Sequence, residues 1–184
     1  MIGLKPHKKA DYIITVHWSE RAAIEAGKYG HINHVVPKRK HFTTIPDRSE
    51  WKLDPEASYV YLCDNETIHG VEFDCVPDVG DVPLVADCSS NFLSRKIDIK
   101  KFGCIFACAQ KNVGPAGVTI IIIRESLIGH HLSICPSILD YKTLAVNNSL
   151  FQTPPTYGFA RILIYLNIYS KTFKFKNLYV WTCI

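Results

Sequence analysis

Short apolar runs that stop on a polar or ionisable residue constrain this chain more than any other feature. Residues 10–15 (ADYIIT), 57–63 (ASYVYLC), 82–86 (VPLVA), 103–107 (GCIFA) and 118–124 (VTIIIIR) are β-branched or aromatic in character and too short for helices. They read as buried strands. The third run ends on Asp87 and the fourth leads into Gln110 and Lys111, so two strands each deliver an ionisable residue at or just past their C-terminal ends. In an open α/β sheet that edge is where ligands bind.

The intervening segments fit the same reading. Ser19 suits the N-cap of a helix that places Ala22, Ala23, Ala26 and Tyr29 on one side and has Gly30 after it. A Pro- and His-containing loop follows, and the second strand closes on Asp64-Asn65-Glu66-Thr67. Gly114-Pro115-Ala116-Gly117 joins the last two apolar runs.

Composition narrows the class. With 184 residues, 47% of them hydrophobic and 21% charged, the chain suits a globular domain rather than a disordered or collagenous one. The longest aliphatic run falls far short of the ~20 residues that cross a bilayer. MIGLKPHKK lacks the apolar core of a secretory signal. The expectation is a cytoplasmic protein with no membrane segment. Seven cysteines, at 63, 75, 88, 104, 108, 135 and 183, form no Cys-x-x-Cys pair and read as reduced, mostly buried thiols. His31, His34 and His41 lack the matching cysteines of a zinc site, so no metal is expected.

The net charge of +4 is local. From residue 159 onward Arg161, Lys171, Lys174 and Lys176 meet no acidic residue, and the remainder of the chain is neutral. The other basic run, Pro37-Lys38-Arg39-Lys40, reads as a solvated loop, and no nucleic-acid partner is expected. FARILIYLNIYSKTFKFKNLYVWTCI also differs in composition, having no Gly, Pro, Asp or Glu and no clear helical face. The reading is therefore a domain over residues 1–158 and an unrelated, basic, apolar tail over residues 159–184.

Lys111 and Asp87 carry the chemistry. An amine at the end of a buried strand loses hydration, which favours its neutral, nucleophilic form. Such a lysine can form a Schiff base with pyridoxal 5'-phosphate, whose ring works as an electron sink while a nearby carboxylate keeps its nitrogen protonated. Asp87 is the natural carboxylate. Taken alone, the pair is equally compatible with a structural role. A nucleotide phosphate loop is excluded, because Gln110 precedes the lysine and no Gly-x-x-x-x-Gly-Lys pattern surrounds it.

The surrounding motifs choose between these. DCSSNFLS and AQKNVGPAG, with NETIHGVEF and ADYIITVHWSERAAIEAGKYGHINHVVPK upstream and CPSILDYKTLAVNNSLFQTPPTYG downstream, closely resemble the phosphoserine aminotransferase family over residues 8–158. That family belongs to the class-V, fold-type-I pyridoxal-phosphate aminotransferases. The resemblance implies an α/β large domain with a mostly parallel sheet and flanking helices, here incomplete, and a homodimer. It implies an amino transfer between glutamate and 3-phosphohydroxypyruvate in L-serine biosynthesis. By position, Lys111 would hold the cofactor and move the substrate's α-proton, and Asp87 would pair with the ring nitrogen. Trp18 would stack on the ring, Thr67 would bond near its phenolic oxygen and Gln110 would contact it beside the lysine. Gln152 and Thr153 would reach the cofactor phosphate of the neighbouring subunit.

Three departures accompany the resemblance. No Gly-Gly pair stands before residue 10 to cradle the cofactor phosphate, and no arginine-bearing C-terminal domain follows residue 158, so truncation at both ends is expected. Val16 occupies a position where the family prefers glycine, a poor fit if that position has positive φ. Gln152 replaces an asparagine. A catalytically inactive truncated isoform or pseudogene product that keeps the cofactor-domain core therefore stands as the alternative to an enzyme.

Overall fold

The apolar runs form a sheet in the computed structural model, which describes residues 2–37, 43–170 and 178–182. In chain order the elements are β1 (Lys9–Ile13), α1 (His17–Ala26), β2 (His31–His34), β3 (Val60–Cys63), β4 (Asn65–Glu66) and β5 (Val71–Glu72). There follow β6 (Leu84–Asp87), β7 (Cys104–Cys108), β8 (Val118–Ile123), α2 (Tyr141–Val146), α3 (Thr156–Ser170) and β9 (Leu178–Thr182). The main sheet has the order β2-β1-β3-β6-β7-β8-β9. From β2 to β7 each neighbouring pair is parallel, whereas β8 lies antiparallel to both β7 and β9. The fold is α/β with a mostly parallel sheet.

Alternation along each strand explains why both faces are apolar. Ile13, Leu62, Leu84, Ile105 and Ile120 pack into one core with Val35, Phe92 and Phe102. Their neighbours Tyr12, Tyr61, Val85, Cys104 and Ile121 point to the opposite face, where they meet Tyr59 and Ala23 of α1. A strand buried on both sides needs apolar residues at every position, which is why these runs stand out in the sequence.

The sequence predicts a loop where the polar strand β2 stands. Its sequence is His-Ile-Asn-His, with both histidines exposed, and it forms the sheet edge by pairing with β1. His41 and the basic residues 38–40 lie outside the described residues.

Three further expectations meet the structure in α1 and the turn before it. Ser19 is not the N-cap of α1: the helix starts at His17 after Val16, and the Ser19 hydroxyl reaches back to accept from the Thr15 and Val16 amides at 2.9 and 3.2 Å. Val16 has φ −153°, so the positive φ that would favour glycine is absent two residues before Trp18. The helix stops at Gly27 rather than at Gly30.

The boundary expected between residues 158 and 159 falls inside α3. Ile162 on that helix is fully buried in the first core, 3.2 Å from where a side chain on Gly114 would begin. Farther on, β9 extends the sheet beside β8, from Ile122 opposite Leu178 to Val118 opposite Thr182. Lys171, Lys174 and Lys176 lie outside the described residues. No helix among the described residues is long and apolar enough to cross a membrane.

Candidate active site

The carboxyl edge of the parallel strands gathers the residues singled out above. Asp87 is the last residue of β6, paired with Cys63 of β3 on one side and Phe106 of β7 on the other. Its Oδ1 accepts from the Ser89 amide at 2.9 Å and from the Ser89 hydroxyl at 2.6 Å. The same hydroxyl oxygen accepts from the Cys108 amide at the end of β7, at 3.0 Å. Ser89 thus locks the carboxylate's orientation to both strand ends. Burial pushes the Asp87 carboxyl above its ordinary value, opposed by the two Ser89 hydrogen bonds and the Lys111 ammonium and reinforced by Glu66. A buried anion in this state gains from a cationic partner.

Lys111 sits in the connection from β7 to β8. Ala109 donates its amide to Val118 at 2.9 Å, Gly114 donates to Ala109 at 2.8 Å, and the Asn112 side chain donates to the Phe92 carbonyl at 2.9 Å. Gly117, at φ +100°, turns the chain back into β8 in a conformation that favours glycine. Held by this frame, Lys111 Nζ donates to the Thr67 hydroxyl on the turn after β4. The burial expected of Lys111 is not found: it lies three residues past the strand end and is exposed, as is Gln110 beside it.

Trp18 lies in the first turn of α1 with 44% of its surface exposed. It lines a cavity of about 650 Å³ together with Asp87, Tyr12, Tyr61 and Phe106. Its indole meets the His17 ring edge-on at 5.0 Å. An aromatic face and a carboxylate on one cavity, with an amine reaching the same strand edge, suit a flat cationic ring with an aldehyde. The residues present fit pyridoxal phosphate.

Gln152 and Thr153 do not join this group. They lie on the connection between α2 and α3, whose Pro155 packs 3.5 Å from the position of a side chain on Gly117. Neither hydrogen-bonds to Lys111, Thr67 or Asp87, and Gln152 Oε1 is buried without a partner.

Sequence reasoning passed over several supporting residues. Ser90 donates to the Asn65 carbonyl at 2.7 Å, and Asn91 donates to Asp64 and Glu72 at 2.6 and 2.8 Å. Arg95 adds a 2.9 Å ion pair to Asp64 and a 2.6 Å bond to the Phe73 carbonyl. The DCSSN motif carried the signal, since its polar residues after Cys88 each brace a neighbouring element of the site. Glu66, fully buried on β4, left no comparable trace. Cys63 and Cys88 are buried free thiols, and burial pushes both upward in pKa; Cys183 lies outside the described residues.

The family model of class-V aminotransferases matches residues 1–177. The chain belongs to the class-V aminotransferase family. Among curated relatives, this class-V chain is 62% identical over 150 residues to the phosphoserine aminotransferase of Drosophila melanogaster, covering 81% of the chain and 41% of the relative. It is 52% identical over 159 residues to that of Herminiimonas arsenicoxydans, covering 85% and 44%. The aminotransferase chain thus spans well under half the length of these relatives.

Solved structures agree. Phosphoserine aminotransferase from Bacillus circulans subsp. alkalophilus superposes with a TM-score of 0.85 at 38% identity, over 91% of this aminotransferase chain and 47% of that one. A pyridoxal-phosphate-bound phosphoserine aminotransferase from Trichomonas vaginalis gives 0.83 at 38% identity, over 92% and 49%.

Proposed function

We propose that this chain carries the cofactor-binding core of a phosphoserine aminotransferase, moving an amino group between glutamate and 3-phosphohydroxypyruvate in L-serine biosynthesis. The observation that carries the reading is the hydrogen bond from Lys111 to Thr67 at the sheet edge that also bears Asp87. Similarity to phosphoserine aminotransferases at 62% and 52% identity supports the substrate class.

Pyridoxal phosphate, when bound, supplies an electron sink for the α-carbon of an amino acid. In this reading each residue has a part. Lys111 offers a solvent-accessible amine as nucleophile and, once free, takes and returns the proton at the substrate α-carbon. Thr67 Oγ1 accepts from that amine and fixes its reach. Asp87, held by Ser89, puts negative charge where a protonated ring nitrogen is needed, and the elevated pKa caused by its burial falls as the cation arrives. Trp18 presents an apolar face to the ring. Gln110 borders the cofactor beside the lysine, and the Gln152-Thr153 pair serves the phosphate site of a neighbouring subunit in a cytoplasmic homodimer.

The test is an absorbance titration of the purified chain with pyridoxal phosphate, alongside Lys111→Ala, followed by borohydride reduction and peptide mapping. A visible band that requires Lys111, a label mapped to Lys111, and a shift of the band on adding glutamate are the expected results. A chain that shows no band depending on Lys111 overturns the proposal.

A further inference from the structure

Helix α1 delivers Trp18, and the turn after β4 delivers Thr67. These elements lie far apart in sequence, yet one side chain joins them. Glu66 is fully buried, and its two oxygens are both used. Oε2 accepts from the Trp18 amide at 2.9 Å. Oε1 accepts from the Ser19 amide at 2.8 Å, the Ser19 hydroxyl at 2.6 Å and the Thr15 hydroxyl at 3.4 Å. The first amides of a helix have no acceptor within it, so this carboxylate takes up two of them and faces the positive end of the helix dipole.

The main chain of the same residue shapes the other half. The Glu66 carbonyl accepts from the His69 amide at 3.2 Å and the Gly70 amide at 2.9 Å, closing the turn that starts with Thr67. Gly70 completes that turn at φ +66°. The Thr67 hydroxyl then takes the Lys111 proton donor. A continuous path of bonds runs from the backbone of Trp18 through Glu66 to Thr67 and Lys111.

We infer that Glu66 is a positioning residue that sets the Trp18 ring against the site held by Thr67 and Lys111; the inference rests on the function proposed above. The chemistry asks for a carboxylate. Each oxygen faces a backbone N–H, so an amide in this place turns its own N–H₂ against one of them whichever way it flips. Glutamine is therefore isosteric but mismatched. Aspartate keeps two acceptors and falls one methylene short.

Two measurements on the full chain test this. In amide hydrogen exchange of the ligand-free protein, Glu66→Gln is expected to speed exchange at Trp18 or Ser19 at least tenfold and leave Leu62 and Ile105 in the sheet unchanged. With pyridoxal phosphate bound, the Lys111-dependent band is expected to persist in Glu66→Gln while its induced circular dichroism, relative to absorbance, falls at least twofold as the ring loses its fixed stacking partner. A purely structural role leaves that ratio at the unsubstituted value, which overturns this inference alone, as does unchanged exchange at both amides. If the unsubstituted chain shows no Lys111-dependent band, the functional reading fails and takes this inference with it. Should Glu66→Gln fold poorly, Glu66→Asp carries the same two readouts with the same expected directions.

Discussion

Lys111 Nζ donates to Thr67 Oγ1 across 44 residues of sequence, joining the β7–β8 connection to the turn after β4. The bond places an exposed amine at one point of the sheet edge without burying it, so the amine's approach is fixed by a partner rather than by an apolar pocket. Removing either residue separates the two contributions. Lys111→Ala is expected to abolish the visible band formed with pyridoxal phosphate. Thr67→Ala is expected to keep it and weaken binding about fivefold, the worth of roughly 1 kcal/mol for one hydrogen bond, measured as an apparent Kd by absorbance titration.

Asp87 offers a trade between affinity and stability. Burial raises its carboxyl above the ordinary 3.8. A carboxyl raised on folding contributes stability that is fully present below its unfolded value and is lost as pH rises through the folded one. At neutral pH the ligand-free chain carries that loss, so Asp87→Asn is expected to melt at a higher temperature than the unsubstituted protein. The same variant, still able to accept from Ser89, is expected to bind pyridoxal phosphate roughly tenfold or more weakly, since hydrogen bonds to charged groups are worth ~1.5–3 kcal/mol. Calorimetry and absorbance titration on one preparation measure both.

Asp140 caps α2, accepting from the Lys142 and Thr143 amides at 3.0 and 3.1 Å and from the Thr143 hydroxyl at 2.8 Å. Burial pushes its carboxyl up, but the Thr143 hydroxyl, the two amides and His131 at 3.1 Å outweigh it, so the net shift is downward. Here the sign reverses: the stabilisation is present above the unfolded value and is lost as pH falls through the lowered folded one. Asp140→Ala is expected to cost about 1 kcal/mol at neutral pH, a fall of about 2–4 °C in Tm. The gap between variant and parent is expected to narrow as pH falls below the ordinary carboxylate value of 3.8 and to close below the lowered folded one.

Ile162 tests whether α3 is part of the domain. It is fully buried against Gly114, inside the same core as Leu62 and Ile105. Ile162→Ala is expected to destabilise the chain by about 2–5 kcal/mol, read as a lower denaturant midpoint. A helix outside the core permits that change at a cost below about 0.5 kcal/mol.

What could be read in advance follows from where local pattern and final environment agree. The strands β3, β6, β7 and β8 are apolar along nearly all of their length because both faces are covered, and that pattern is local. Strand β2 was illegible because an exposed edge imposes no apolar requirement on His-Ile-Asn-His. Helix α3 was illegible for the opposite reason: its first residues are apolar around much of the helix, so periodicity gave no face, and Ile162 is recognised as core once the helix is seated.

The site divides along the same line. Asp87, Lys111 and the DCSSN motif were legible because each stands at a fixed offset from a buried strand, so local pattern alone delivers it to the sheet edge. Glu66 looked like an ordinary turn residue, and only the docking of α1 against β4 turned it into a fully buried acceptor for amides almost fifty residues away. The exposure of Lys111 was likewise a tertiary outcome, set by how far the β7–β8 connection carries it past the strand. By itself the sequence determined which strands are buried and which residues they carry to the edge, because hydrophobic periodicity is local. Which of those residues touch was decided by parallel pairing and helix docking, because contacts between distant segments exist only after the chain has closed upon itself.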